Sequence, residues 1–342
     1  MGEPQSILNP LTRAAIFLVA AIEPDGEDVV RDVLADVPGL ARSVGFRLPG
    51  TDLSCVVGIG SAAWDRLFAG PKPAGLHEFV PLAGERHSAP ATPGDVLFHL
   101  KAESLDACFE LGAKIAERLG SAVTIVDETA GFRYFEQRDL LGFVDGTENP
   151  TGVPAVDAAL IGAEDPEFAG GSYVIVQKYL HAMTDWKSLS TGEQERVVGR
   201  TKLDDFELSD EDKPADSHVA LTSVTDADGT ERKILRANMP FGSIKGGEFG
   251  TYFIGYAATP DVTELMLQRM FLGADGASHD RILDFSTAVT GSLFFVPSAA
   301  FLDDLPPPPE ADDLGMQPAT PDDDTRNRDG SLGIGSLKGS QS

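Results

Sequence analysis

Apolar positions along the first half of the chain recur with two periods. Short apolar runs at Ala15–Ile22, Ser54–Ile59, Asp95–Lys101 and Ala122–Asp127 have the length of strands. Between them, Glu27–Val37 and Ser104–Leu119 carry helical spacing. In the second of these, Leu105, Cys108, Phe109, Leu111, Ile115 and Leu119 fall on one side. The second half repeats the theme. Ser172–Tyr179, Val219–Val224, Lys233–Arg236 and Thr251–Ala257 predict strands, Val262–Leu272 a helix, and Gly291–Val296 a last strand. Asp226-Ala227-Asp228-Gly229 opens like a calcium loop but does not complete that pattern, and reads as a hairpin turn. A weak echo links the halves. Val96-Leu97-Phe98-His99-Leu100 and Tyr252-Phe253-Ile254-Gly255-Tyr256 each lead through a polar turn into a helix. This mixed order predicts two α+β units with antiparallel sheets.

After Leu305 the character changes. Residues 306–342 begin with four prolines, contain no aromatic residue and hold seven acidic against three basic side chains. They predict a disordered acidic tail ending in Ser331-Leu332-Gly333-Ile334-Gly335-Ser336-Leu337-Lys338-Gly339. A few aliphatics spaced by Gly and Ser cannot form a core, but they can anchor in a partner's groove. The formal charge of −27, from 27 basic and 54 acidic residues, argues against general nucleic-acid binding. Cys55 and Cys108 are too few for a disulfide scaffold and read as buried free thiols, as in a reducing cytoplasm. The run Ala14–Ile22 lacks a basic leader beyond Arg13 and a clean cleavage site, so it reads as a strand rather than a signal peptide. No segment is long and apolar enough to predict a membrane span.

The chemistry concentrates in Leu141-Gly142-Phe143-Val144-Asp145-Gly146-Thr147-Glu148-Asn149-Pro150. The glycines permit positive φ or close backbone approach, and the proline ends the segment. Together they predict a tight loop aiming one carboxylate at a ligand. A lone Asp-Gly would be an ordinary turn. The whole string resembles the GxxDG signature of the dye-decolourising peroxidases, which are haem enzymes, and the resemblance covers about residues 10–300.

A haem peroxidase needs a histidine on the iron, and a distal acid or base and a cation to split peroxide. The chain has six histidines: His77, His87, His99, His181, His218 and His279. The family's order of motifs implies that His218, in Asp216-Ser217-His218-Val219, is the axial ligand of a haem b. It likewise implies the distal arginine in Arg236 and its companion in Asn238, from Leu235-Arg236-Ala237-Asn238-Met239-Pro240. His279, in what reads as an exposed loop, is the rival ligand. Asp284 is the implied acceptor for the other ring nitrogen of His218. Asp145 would shuttle the peroxide proton, Arg236 would stabilise developing negative charge, and Asn238 would orient water or peroxide. Arg200 and Lys202 are implied partners of the haem propionates. Gly142, Phe143, Gly146 and Glu148 would pass over the haem face, with Phe253 lining the pocket. Electrons for the oxidised cofactor would come from large substrates at the haem edge, or through Trp64, Trp186 or a tyrosine. Glu148, Glu207 and Glu231 are candidates for a Mn(II) site.

The resemblance is to the B-type subgroup. It implies two ferredoxin-like domains, at residues 1–140 and 141–305, with the haem pocket mainly in the second and the tail at 306–342. It also implies hydrogen peroxide as oxidant, with dyes, phenolic or lignin-like compounds or Mn(II) as reductants, and a dimeric or hexameric assembly. The terminal string at 331–342 resembles the cargo-loading peptide of encapsulin shells, which implies a cytoplasmic enzyme packaged in a nanocompartment. The rival readings are a non-catalytic haem carrier, a protein that releases haem iron, and a structural shell-associated protein.

Overall fold

Helix α1 (Glu27–Gly45) shows how sequence pattern becomes packing. Val30, Val33, Leu34 and Val37 recur at helical spacing and are all buried against the first half's sheet. Each such side chain contributes roughly 1.5–3 kcal/mol of burial. The pattern predicts an end at Val37. The helix instead continues through Pro38, and Leu40, Ala41 and Val44 extend its packed face.

The computed structural model describes residues 2–274 and 276–310. Around α1, the first half runs β1 (Ala14–Ile22), β2 (Ser54–Gly60), α2 (Ser61–Leu67), a small hairpin of β3 (Leu82–Ala83) and β4 (Ser88–Ala89), β5 (Val96–Ala102), α3 (Leu105–Leu119) and β6 (Val123–Phe132). The second half runs α4 (Val153–Ala159), β7 (Ser172–His181), α5 (Met183–Ser188), α6 (Thr191–Val198), α7 (His218–Thr222), β8 (Val224–Thr225) and β9 (Glu231–Arg232). It continues with β10 (Leu235–Arg236), β11 (Met239–Ser243), β12 (Glu248–Ala257), α8 (Pro260–Leu272), β13 (Ser286–Ala288), β14 (Ser292–Val296) and α9 (Ala299–Asp303).

The strands of both halves join into one antiparallel sheet of order β10-β12-β7-β14-β2-β5-β1-β6, with β11 on β12 and β13 on β7. The halves meet where β14 pairs with β2, Phe294 opposite Gly60. Alternation along β1 sends Ile16 and Leu18 toward the helices, and Phe17 and Val19 into a second core with Tyr252, Ile254 and Tyr256 of β12. Phe17 stacks on Tyr252 at 4.0 Å. The same alternation frees Thr251 and Phe253 of β12 for a cavity on the other face.

Two local expectations change. Val219–Val224 is not a strand. Its first four residues belong to α7, with Ser217 in extended backbone at the N-cap and the Thr222 hydroxyl donating to the His218 carbonyl at 2.8 Å. An apolar run this short has no period long enough to separate helix from strand. Lys233–Arg236 likewise resolves into a two-residue strand at Leu235–Arg236. The Asp226–Gly229 turn does join a hairpin, β8 to β9. Cys55 and Cys108 are both free thiols. The chain is still held at the start of the expected tail: the carbonyls of Pro306 and Pro307 accept from Arg31 Nη2 at 2.6 Å and from the amide of Ala69 at 2.8 Å. The docking string at 331–342 lies outside the described residues.

Candidate active site

One cavity is walled by β7, β12, α7, α8 and the loop Asp139–Glu148. The loop is built on its own acid. Asp139 Oδ1 accepts from the amides of Gly142 at 2.8 Å and Phe143 at 2.9 Å, and its amide donates to the Phe143 carbonyl. Burial of that carboxylate pushes its pKa up to about 7. Gly142 has a φ of 96°, and a Cβ there would lie 2.5 Å from Lys202 Cε. Behind the loop, Trp186 Nε1 donates to the Leu141 carbonyl at 2.9 Å and its ring packs against Phe143.

This framework presents Asp145 to the cavity. Asn238 Nδ2 donates to Asp145 Oδ1 at 3.2 Å, and Asn238 Oδ1 accepts from the amide of Ile254 in β12 at 3.0 Å. The strand amide therefore fixes which end of the Asn238 amide faces the carboxylate. Arg236 is held by its backbone: its amide donates to Asn149 Oδ1 at 3.0 Å and its carbonyl accepts from Asn149 Nδ2 at 2.7 Å. Its side chain lines the cavity, and its buried Nε has no hydrogen-bond partner among the described residues.

His218 opens α7 and also lines the cavity. Its Nδ1 lies 2.7 Å from Asp280 Oδ2, and Asp280 is fully buried. The other Asp280 oxygen accepts from the amide of Ile282, capping the turn Arg281–Asp284. The acceptor of His218 is thus Asp280, which corrects the expectation of Asp284. Asp284 instead bonds His87 and His279. His279, the rival ligand, is buried rather than exposed and does not line the cavity. The segment's alternating small and polar residues hid this. The one available signal was an Asp two residues before an apolar pair, in the N-cap position of a helical turn.

The cavity mouth is charged. Arg200 Nε and Nη2 bind Asp205, and Nη1 donates to Glu148 Oε1 at 2.9 Å. Burial works against the charged form of Glu148, but Lys233 and Arg200 together hold its pKa below the usual carboxylate range. Lys233 also pairs with Glu231 at 3.1 Å. Glu207 is drawn away to Lys213 and does not line the cavity. Lys202 departs from its expected place too. Its Nζ donates to Gln194 Oε1 and sits 5.4 Å over the Phe143 ring, behind the loop. Lys202 and Gly142 therefore back the loop instead of facing the cavity, whereas Phe143, Gly146, Glu148, Arg200 and Phe253 line it. Trp64 and Trp186 are buried away from the cavity surface. His181 lines the cavity without having been singled out in the sequence. It is fixed by Ser286 and Thr251, and burial lowers its pKa to about 4, so it is neutral.

Comparison with known proteins gives the family of the chain. The family described as Dyp-type peroxidase matches through its N-terminal part at residues 4–133 and its C-terminal part at residues 136–301. A dye-decolorizing peroxidase of Mycobacterium tuberculosis is 62% identical over 98% of this chain and 97% of its own length. The encapsulated DyP-type peroxidase from Mycobacterium smegmatis, solved by cryo-EM, is 62% identical with a TM-score of 0.89, over 90% of this chain and 100% of that one. A DypB variant in complex with manganese is 60% identical with a TM-score of 0.86, over 88% of this chain and 98% of that one. With both parts matched in order and relatives aligned over nearly the whole length, the chain belongs to the Dyp-type peroxidase family.

Proposed function

We propose that the chain reduces hydrogen peroxide at a haem b bound through His218, with Asp145, Arg236 and Asn238 as its peroxide-cleaving group. Family membership makes it a haem-dependent peroxidase. One observation supports the assignment of residues most. A histidine whose Nδ1 is engaged by a buried acid enters the same cavity as an acid, an amide and an arginine with an unpartnered Nε. This donor set fits a haem, which His218 would hold through Nε2 at the iron and Arg200 would hold at a propionate.

Bound haem supplies the iron that receives peroxide and the oxidising equivalents later drawn from reductants. The chain's own residues do the rest. Asp280 accepts a hydrogen bond from His218 Nδ1–H, which fixes the tautomer and keeps the Nε2 lone pair available. Asp145 takes the proton from one peroxide oxygen and returns it to the other. Asn238 keeps the carboxylate turned toward that path. The Arg236 guanidinium stabilises the charge that develops as the O–O bond breaks.

Reductants include dyes and phenolic or lignin-like compounds that give electrons at the cavity mouth. Mn(II) is a further reductant, for which Glu148 and Glu231 are the ligands on offer and Lys233 the competing cation. The manganese complex of a DypB variant supports this reading. The encapsulated relative supports packaging: residues 331–342 would dock the enzyme on an encapsulin shell in the cytoplasm, as a dimer or hexamer.

An ultraviolet–visible spectrum of the purified protein, before and after one equivalent of peroxide, tests the central reading. A histidine-ligated haem spectrum that changes rapidly with peroxide and recovers with a dye is expected. A haem spectrum inert to peroxide would mean a carrier. Deleting residues 331–342 should leave activity in free solution intact and abolish co-purification with co-expressed shell protein. Packaging at the full-length level would overturn the docking role.

A further inference from the structure

We propose that the chain carries a second metal site, for a divalent cation of the Zn2+ class, made by His87, His279 and Asp284. None of the three lines the peroxidase cavity. His87 comes from the β3–β4 hairpin, where its carbonyl accepts from the amide of Gly84. His279 follows α8, and Asp284 ends the turn Arg281–Asp284. Asp284 Oδ1 lies 3.1 Å from His87 Nε2 and 3.2 Å from His279 Nε2. All three ligand atoms fall within 4.8 Å of one another.

Around a tetrahedral zinc with bonds of about 2.0–2.1 Å, neighbouring ligand atoms stand about 3.3–3.4 Å apart. Two of the three separations are therefore already close to a ligand triangle. The third is within 4.8 Å and would close by a turn of one ring, the His87 side chain being the more exposed of the two, at 21% against 10%. The donor chemistry is selective. Two imidazoles and one carboxylate suit zinc, whereas Ca2+ and Mg2+ favour oxygen ligands.

The surroundings fit a ligand set. Ser278 Oγ lies 2.9 Å from His279 Nδ1, which orients the ring and leaves Nε2 toward Asp284. Arg86 is the one competing cation among the described residues around Asp284. It stands 3.9 Å away on a side chain 65% exposed, free to swing into solvent. The site would tie a hairpin of the first half to the residue next to Asp280, the acceptor of His218. A bound cation would therefore brace the proximal side of the haem pocket without touching it.

Zinc binding to the haem-loaded protein tests this, after chelator treatment and desalting. Isothermal titration at neutral pH should show one saturable Zn2+ per chain, and metal analysis after gel filtration should recover it. His87→Ala and Asp284→Asn should each weaken that binding by more than the roughly tenfold to hundredfold that a supporting residue costs. His77→Ala removes a different surface histidine, paired with Glu264 at 3.0 Å, and should leave binding unchanged. His87 sits in a partly exposed hairpin loop, so its loss should not unfold the chain, which circular dichroism checks. No saturable zinc in the wild type, or equal affinity in His87→Ala, would overturn the site. The readout is zinc itself, so the outcome is independent of peroxidase activity.

Discussion

The two sides of the cavity are held in different ways. On the side that we propose meets peroxide, each group is pinned by neighbouring backbone. Asn149 clamps both the amide and the carbonyl of Arg236, the Ile254 amide fixes Asn238, and the Gln137 carbonyl accepts from the Asp145 amide. On the side that we propose holds the iron, His218 sits at the start of a five-residue helix, and its ring makes one charged contact among the described residues, to Asp280. A loss on the iron side should therefore remove the cofactor, whereas a loss on the peroxide side should leave a loaded but slow enzyme.

The largest effect should come from His218→Ala. Haem content should collapse while far-ultraviolet circular dichroism stays near wild type, because α7 is short and its neighbours keep their own cores. Normal haem loading with a histidine-ligated spectrum would place the ligand elsewhere. Arg236→Leu should load haem normally yet slow the reaction with peroxide. Loss of a preorganised charged donor typically costs about 3–4 kcal/mol of transition-state stabilisation, roughly a hundred- to thousandfold in rate. Stopped-flow rates within about threefold of wild type would erase the contrast between the sides.

Asp280→Asn should fall between the two sides in kind. It keeps the shape of the contact but removes the charge that makes His218 a better ligand, so haem affinity should drop by roughly tenfold to a hundredfold. An unchanged affinity and an unchanged haem spectrum would reduce Asp280 to packing. The smallest effect should be Asp139→Asn, within the peroxide-side loop. The ordinary Asp value is about 3.9, and burial raises the folded value to about 7. The folded state thus holds the proton more tightly. The stability this group contributes is complete below the unfolded value and is lost as pH rises through about 7. Melting temperatures of the wild type should decline across that window, and the variant should decline less. Parallel curves would assign the pH dependence to another group.

Much of the peroxide side was legible in the chain, because its parts are short strings with distinctive residues. Asp145 with its flanking glycines, and Arg236 with Asn238, could be recognised and do share one cavity. The iron side was half legible. His218 stood out, but its acceptor depends on two segments 62 residues apart meeting in space, and the acid expected in that role was Asp284. Local pattern cannot choose between Asp280 and Asp284; the turn that Asp280 caps decides it. Lys202 failed for a related reason. A basic side chain near an arginine suggests anion binding, yet the Phe143 and Trp186 rings draw it behind the loop. His181 gave no signal, because a histidine ending an apolar strand looks like any other strand end.

The strand β14 has a consequence for the order of assembly. It is the last strand among the described residues, yet it lies in the interior of the sheet, hydrogen-bonded to β7 on one side and β2 on the other. During synthesis the first half can collapse around α1 and α3, and the walls of the cavity can form from β7 and β12. Until residues 292–296 leave the ribosome, β2 and β7 each keep an open edge. Such edges recruit wrong partners, and closing contacts so distant in sequence is slow. Fragments truncated before Ser292 should therefore aggregate rather than yield a smaller enzyme. Cofactor capture by a finished pocket is then a late event, after the seam between the halves has closed.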